Sequence, residues 1–306
     1  MKRTLLMLIS LMLLNACSDD LQVKLPDRIE QQPVLNSLFT AGEPLEVSLS
    51  TSSNIYGKIQ EITAANVDLY ENGEYVESLY PVEGKPGYYK GSRTIKSGNK
   101  YEVIAQTSVG KVSARELVPE PTCVRKVEIT RMLTIKRSYL DQPTKAFEIQ
   151  VTLDKLKVDA YFRFRVVTGS GSYAFRAGYT YKNRDWFTVV VDYEEALEME
   201  GYDYLFVPSK AFNQDSLTFS FYAPVEMRNV RLYLEEQQQV FVEVKTISRH
   251  YYEYVRSYWH YAKVFEDSQA SRLNVHSNTS TNMGIFAGGV MTLTPLKLPA
   301  ELIQEN

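Results

Sequence analysis

The sequence is poor in the residues that usually brace or arm an extracellular protein. Its 306 residues hold two cysteines, three histidines and two tryptophans. Two cysteines, Cys17 and Cys123, allow at most one disulfide, and no paired cysteines stand at zinc-ligand spacing. No His-Glu-x-x-His run occurs. His250 and His260 are ten residues apart, so on a helix they differ by about 280° and about 15 Å and cannot share one ion. With His276, they are expected to be surface or hydrogen-bonded imidazoles. No metal, cofactor or catalytic residue is therefore assigned. Gly169-Ser170-Gly171-Ser172 lacks both the Gly-x-Ser-x-Gly elbow and the phosphate-loop lysine, and fits a strand connection better. Basic side chains number 34 against 37 acidic ones, which argues against nucleic acid as a partner. No apolar run reaches the ~18 residues of a membrane span.

What is present begins at the amino end. Lys2 and Arg3 precede an apolar run from Leu5 to Leu14, broken at Ser10, and Ala16 then stands before Cys17. Charge, short apolar core and small residue are the parts of a secretory signal peptide. With the cysteine they resemble the bacterial lipoprotein signal, which implies that residues 1–16 are removed and that Cys17 is lipidated. Ser18-Asp19-Asp20 follows and resembles the acidic export signal of Bacteroidota surface lipoproteins. The expected location is the outer membrane, lipid-anchored and facing the exterior, with residues 17–33 as a tether. With Cys17 acylated no internal disulfide remains, and Cys123 is expected to be a small buried hydrophobe. Loss of Lys2 and Arg3 leaves 32 basic against 37 acidic groups, near −5.

From Val34 onward the chain alternates with period two. Leu45, Val47 and Leu49 interleave with Glu46, Ser48 and Ser50, and Val67 and Leu69 with Asp68 and Tyr70. Asn72-Gly73, Gly84-Lys85-Pro86-Gly87, Ser97-Gly98-Asn99 and Val109-Gly110-Lys111 mark turns between such runs. Closely spaced turn signals predict a β-sandwich over 34–120, closed by Pro119-Glu120-Pro121. A second β-rich domain, sandwich- or barrel-like, is expected over 121–306. Phe147, Ile149, Val151 and Leu153 share one face, and Phe162, Phe164 and Val166 alternate with Arg163 and Arg165. Leu217, Phe219 and Phe221, then Val230, Leu232 and Leu234, then Val240, Val242 and Val244 predict three more half-buried strands. One stretch departs: Tyr251, Val255, Tyr258, Ala262 and Phe265 recur at helical steps, giving an amphipathic helix over about 248–267 with Ser248 as N-cap. Gly284 to Gly289, followed by Val290, Thr292 and Thr294, predicts a bulged or closely packed strand returning to the core.

Two constellations are candidates for binding. Residues 192–203 carry six carboxylates in twelve positions, among them Glu194, Glu195, Glu198 and Asp203. They could attract a cation or basic partner, or be a solvated insertion. On the helix, Tyr252 and Trp259 lie seven residues apart on one side, as an exposed contact surface or as packing between the two domains.

Several stretches then match one pattern. These are Val34-Leu35-Asn36-Ser37-Leu38-Phe39-Thr40 with Pro44 to Ser50, Ala65 to Tyr70, and Gly87-Tyr88-Tyr89. Tyr251-Tyr252-Glu253-Tyr254, His276-Ser277-Asn278 and Met283-Gly284-Ile285-Phe286-Ala287-Gly288 complete it. Together they resemble the Bacteroidota lipoprotein family called domain of unknown function 4249, over nearly the whole mature chain. Thr279-Ser280-Thr281 departs from the family's shorter link. The resemblance implies lipidation, an immunoglobulin-like first sandwich and a TonB-dependent outer-membrane transporter as partner, with no catalytic residues to carry over. The expected role is a substrate-binding or lid-like accessory of uptake, not an enzyme. An adhesive or structural surface module is the alternative, and a hydrolase with spatially assembled carboxylates is the third.

Overall fold

The computed structural model describes residues 30–53, 58–137, 140–155, 157, 159–169, 188–189, 204–225, 227–265 and 274–299. Cys17 and the acidic residues Glu194, Glu195, Glu198 and Asp203 lie outside these. The described chain is mainly β. In order come β1 (Pro33–Thr40), β2 (Pro44–Thr51), β3 (Ala65–Glu71), β4 (Glu74–Pro81), β5 (Tyr88–Thr94), β6 (Lys100–Thr107) and β7 (Gly110–Leu117). Then follow β8 (Val124–Arg137), β9 (Leu140–Leu153), β10 (Tyr161–Thr168), β11 (Thr188–Val189), β12 (Tyr204–Pro208) and β13 (Thr218–Pro224). Helix α1 (Met227–Glu235), β14 (Val240–Ile247), helix α2 (Arg249–Phe265) and β15 (Gly284–Leu296) complete it.

The first seven strands form as their turn signals predict. Asn72 and Gly73 both take positive φ, 54° and 91°, in the two-residue link between β3 and β4. β4 pairs with β3 through Leu79 and then with β5 through Tyr80 and Pro81, so it passes from one layer of the sandwich to the other. Inside lie Leu35, Leu45, Val47, Leu49, Val67, Leu69, Tyr89, Val103 and Val112. The phenol of Tyr89 is satisfied there by donating to the Ile62 carbonyl at 2.8 Å.

The second core lies between β10, β12, β14 and the second half of β15 on one side and the sheet β13-β9-β8 on the other. Phe147, Ile149, Val151, Phe162, Phe164, Phe221, Val242 and Val244 fill it. Residues Val230 to Leu234, expected as a strand, belong to α1. Val230 is buried, Tyr233 and Leu234 pack on the core, and Leu232 is exposed. Positions 230, 233 and 234 mark one helical face, and that period overrides the short alternation.

β15 joins the two halves. Gly284 to Gly289 pair in parallel with β1, and Gly289 to Leu296 pair antiparallel with β14. Phe286 enters the first core, while Ile285 and Ala287 face the opposite way. Glycine is required here by contact: a Cβ on Gly288 would stand 2.5 Å from the ring of Phe39. The chain passes between cores at Pro119-Glu120-Pro121, yet its last described strand returns to its first.

No helix among the described residues is long and apolar enough to cross a membrane.

Candidate functional site

The chemistry of the molecule gathers around α2. Its N-cap is Ser248, whose hydroxyl oxygen accepts the Tyr251 N–H at 3.2 Å. The Ser248 hydroxyl donates to Oε2 of Glu116 on β7 at 2.6 Å, and Oε1 of Glu116 accepts the Leu117 N–H. Glu116 is buried, and desolvation pushes its carboxyl up to about 7 against the pull of both hydrogen bonds. A carboxylate from the first sandwich thus sits at the positive end of a helix from the second half.

Under α2, the face of β10 and β14 that alternation predicts as solvated is buried. Arg163, Glu243 and Lys245 are 6%, 0% and 3% exposed. Glu243 takes Arg163 Nη2 at 2.7 Å on one oxygen and Arg165 Nε at 2.6 Å on the other. The Arg163 guanidinium lies 4.2 Å from the ring centre of Tyr204, and Lys245 donates to the Thr40 hydroxyl at 2.7 Å. Burial opposes the charge on Arg163, but Tyr251, Tyr204 and Glu243 outweigh it and its pKa is raised. Sequence reasoning missed this group because period two shows that two faces differ, not that both are dry.

Tyr252, a candidate for an exposed surface, is 7% exposed and stacks on Tyr161 with ring centres 4.6 Å apart. Trp259 is half-buried and packs against the same cluster as Tyr251 and Val255. This corrects the contact-surface reading for Tyr252: it is a packing residue. Cys123, expected to be buried, is exposed, because it lies on the connection into β8 rather than inside a strand.

The histidine pairing lies between residues 26 apart. His250 Nδ1 and His276 Nε2 are 2.9 Å apart, with nearly parallel rings whose centres are 5.2 Å apart. Two ring radii of roughly 1.1 Å added to the nitrogen separation give this centre distance, so the nitrogens face each other along one line. That is one imidazole N–H donating to the other ring, not two lone pairs converging on a shared ion. Burial lowers both pKa values, with His276 lowering that of His250 further. The side chain of His260 is outside the described ones. No group of three or more His, Cys, Asp or Glu among the described residues could hold a metal.

Beside His276 opens a cleft of about 580 Å³ lined by Tyr254, Asn274, Val275, His276, Ser277, Asn282, Met283 and Gly284. Its wall is fastened on three sides. The Ser257 hydroxyl accepts the His276 N–H, Ser280 N–H donates to the Ser113 carbonyl of β7, and the Thr281 hydroxyl donates to the Pro33 carbonyl of β1. The sequence signal for this wall was His276-Ser277-Asn278. Asn278 is structural: its amide donates to the carbonyls of Arg115 and Phe286, and its oxygen accepts the Phe286 N–H.

Among solved structures, the chain is similar to a DUF4785 family protein from Legionella pneumophila at 11% identity and TM-score 0.24, over 71% of this chain and 51% of that one. A Parabacteroides merdae β-glucuronidase matches at 12% identity and TM-score 0.21, over 72% and 24% of the two chains. The titin domains Z1Z2 in complex with telethonin match at 9% and 0.20, over 89% and 100%. The chain thus spans about half of the first of these and about a quarter of the second. At such scores none bears on fold or function. No curated protein matches. The family model described as domain of unknown function (DUF4249) matches residues 18–290, and the chain belongs to that family.

Proposed function

We propose that this protein is a lipid-anchored component of the outer-membrane surface and serves a TonB-dependent uptake system as a substrate-binding or lid-like accessory. The observation that carries the reading is Cys17 behind a short apolar run, sixteen residues before the first strand at Pro33. Such a segment reaches at most about 55 Å. It enters the fold at β1, which pairs with β2 and with β15, so the anchor pulls next to the strand that joins the two halves. Family membership supports the reading through the lipidation and transporter association that the sequence resemblance implies. A polar cleft with fixed walls supports the substrate-binding form of the role.

The test is purification of the tagged, full-length protein from native outer membranes in mild detergent, with Cys17→Ala as control. The expected result is a stoichiometric TonB-dependent barrel with the wild type, and loss of membrane retention in the variant. Absence of any barrel across several detergents overturns the transport role and leaves an adhesive or structural module as the reading.

A further inference from the structure

We infer that the cleft beside α2 is a subsite for a neutral saccharide. The inference deepens the substrate-binding reading above and rests on it. Its size, about 580 Å³, falls within the range of small-ligand sites. Tyr254, Asn274, Val275, His276, Ser277, Asn282, Met283 and Gly284 line it, and none brings a formal charge at neutral pH, since burial holds His276 neutral. A charged ligand would lose its water here without gaining a counter-ion from the lining; Arg249 and Glu253 act on His276 from outside it and are of opposite sign.

The polar groups are of two kinds. Asn278 spends its whole carboxamide on the backbone of Arg115 and Phe286. By contrast, Asn274 and Asn282 in the same loop are exposed, and among the described residues no side-chain hydrogen bond engages their carboxamides. Among the described residues the Tyr254 hydroxyl likewise has no hydrogen-bond partner; its backbone carbonyl takes the Ser257 hydroxyl. His276 uses Nε2 on His250, which leaves Nδ1 as the ring atom for a ligand. Two carboxamides, each both donor and acceptor, match vicinal hydroxyls, and one imidazole nitrogen can serve a third. The Tyr254 ring, Val275 and Met283 supply apolar surface for the C–H face of a sugar ring. The wall is already fastened to β7 and β1, so binding costs little ordering.

The test is saturation-transfer NMR on the full chain in a detergent without a sugar headgroup. The probes are maltose, cellobiose, xylobiose and mannobiose, with digalacturonate and trialanine as charged and peptide controls. At least one neutral disaccharide is expected to bind. Asn274→Ala combined with Asn282→Gly is expected to weaken it by about tenfold or more, as lost hydrogen bonds dictate. Glycine keeps the positive φ of 54° at position 282, so the fold is retained, and an unchanged circular dichroism spectrum checks this. No signal from any neutral sugar overturns the inference. So does a signal that survives the double variant, or equal binding of either control. Co-purification of a barrel without sugar binding removes the subsite and keeps the uptake role; sugar binding without a barrel does the reverse.

Discussion

β2 and β14 carry the same alternation and end in different surroundings. In β2, Leu45, Val47 and Leu49 are buried and Glu46, Ser48 and Ser50 remain partly open to water. In β14, Val242 and Val244 are buried, and so are Glu243 and Lys245 between them. The difference is α2, which lays Tyr251, Tyr252 and Val255 over the second face. A strand with one wet face needs no partners for its polar side. A strand covered on both faces must pair every charge, and Glu243 does so with two guanidinium groups at once.

The largest break in this comparison is Glu243→Gln. It leaves Arg163, 6% exposed, without its carboxylate, and removal of one partner from a buried pair costs about 3–5 kcal/mol. Urea denaturation is expected to show that loss, with a lowered midpoint. An unchanged midpoint would mean that the charges under α2 are hydrated and that the two strands do not differ as described.

The seam between the halves gives a second break, read through pH. The carboxyl of Glu116 rises from 4.5 to about 7 in the folded state, so the folded protein holds its proton more tightly. Its contribution to stability is full below about pH 4.5 and is lost as pH rises through about 7, on the order of 3 kcal/mol. His250 and His276 act in the opposite sense. Their lowered pKa values favour the neutral rings, so their contribution is present above about 6.5 and is lost as pH falls. Glu116→Gln is therefore expected to gain stability relative to wild type as pH rises from 5.5 to 8, with its own stability rising up to about pH 6.5 and then levelling off. Urea midpoints at several pH values check this, and a parallel profile in wild type and variant would sink it.

A smaller effect sharpens the same seam. Ser248→Ala removes the N-cap of α2 and the hydroxyl that Glu116 accepts, and loss of a cap costs about 1 kcal/mol. Hydrogen exchange is expected to speed up at Tyr251 and Tyr252 before it changes in the first sandwich. Equal acceleration in both halves would show that the two cores open together.

The first sandwich was legible because each strand has one wet face and each turn its own signal, such as Asn72-Gly73. The N-cap at Ser248 was legible for the same local reason. Val230 to Leu234 was not, since five residues with four apolar positions satisfy both periods, and packing on the second core decided it. The histidine pair and the cleft were not legible either. They depend on a loop 26 residues beyond His250 being stitched to β7 and β1, and no local pattern carries that information. The alternation of Arg163 and Arg165 with Phe162, Phe164 and Val166 was legible, but the burial of Arg163 was not, because the helix that covers it comes about 85 residues later.

The smallest expected effect is the control that gives the first prediction its meaning. Glu102 on β6 faces Arg115 on β7 in register, at 2.9 Å, in the same kind of carboxylate–guanidinium contact that Glu243 makes. Here, however, the Arg115 side chain is 62% exposed. Water solvates the Arg115 charge and reaches the 18% exposed Glu102 side chain at its edge, so Glu102→Gln is expected to cost about 1 kcal/mol. Added salt separates the two cases further. At about 1 M salt the screening length falls to roughly 3 Å, and the effect of Glu102→Gln should vanish while that of Glu243→Gln persists. If both losses shrink together, salt reaches the charges under α2, and burial does not distinguish β14 from the open strands of the first sandwich.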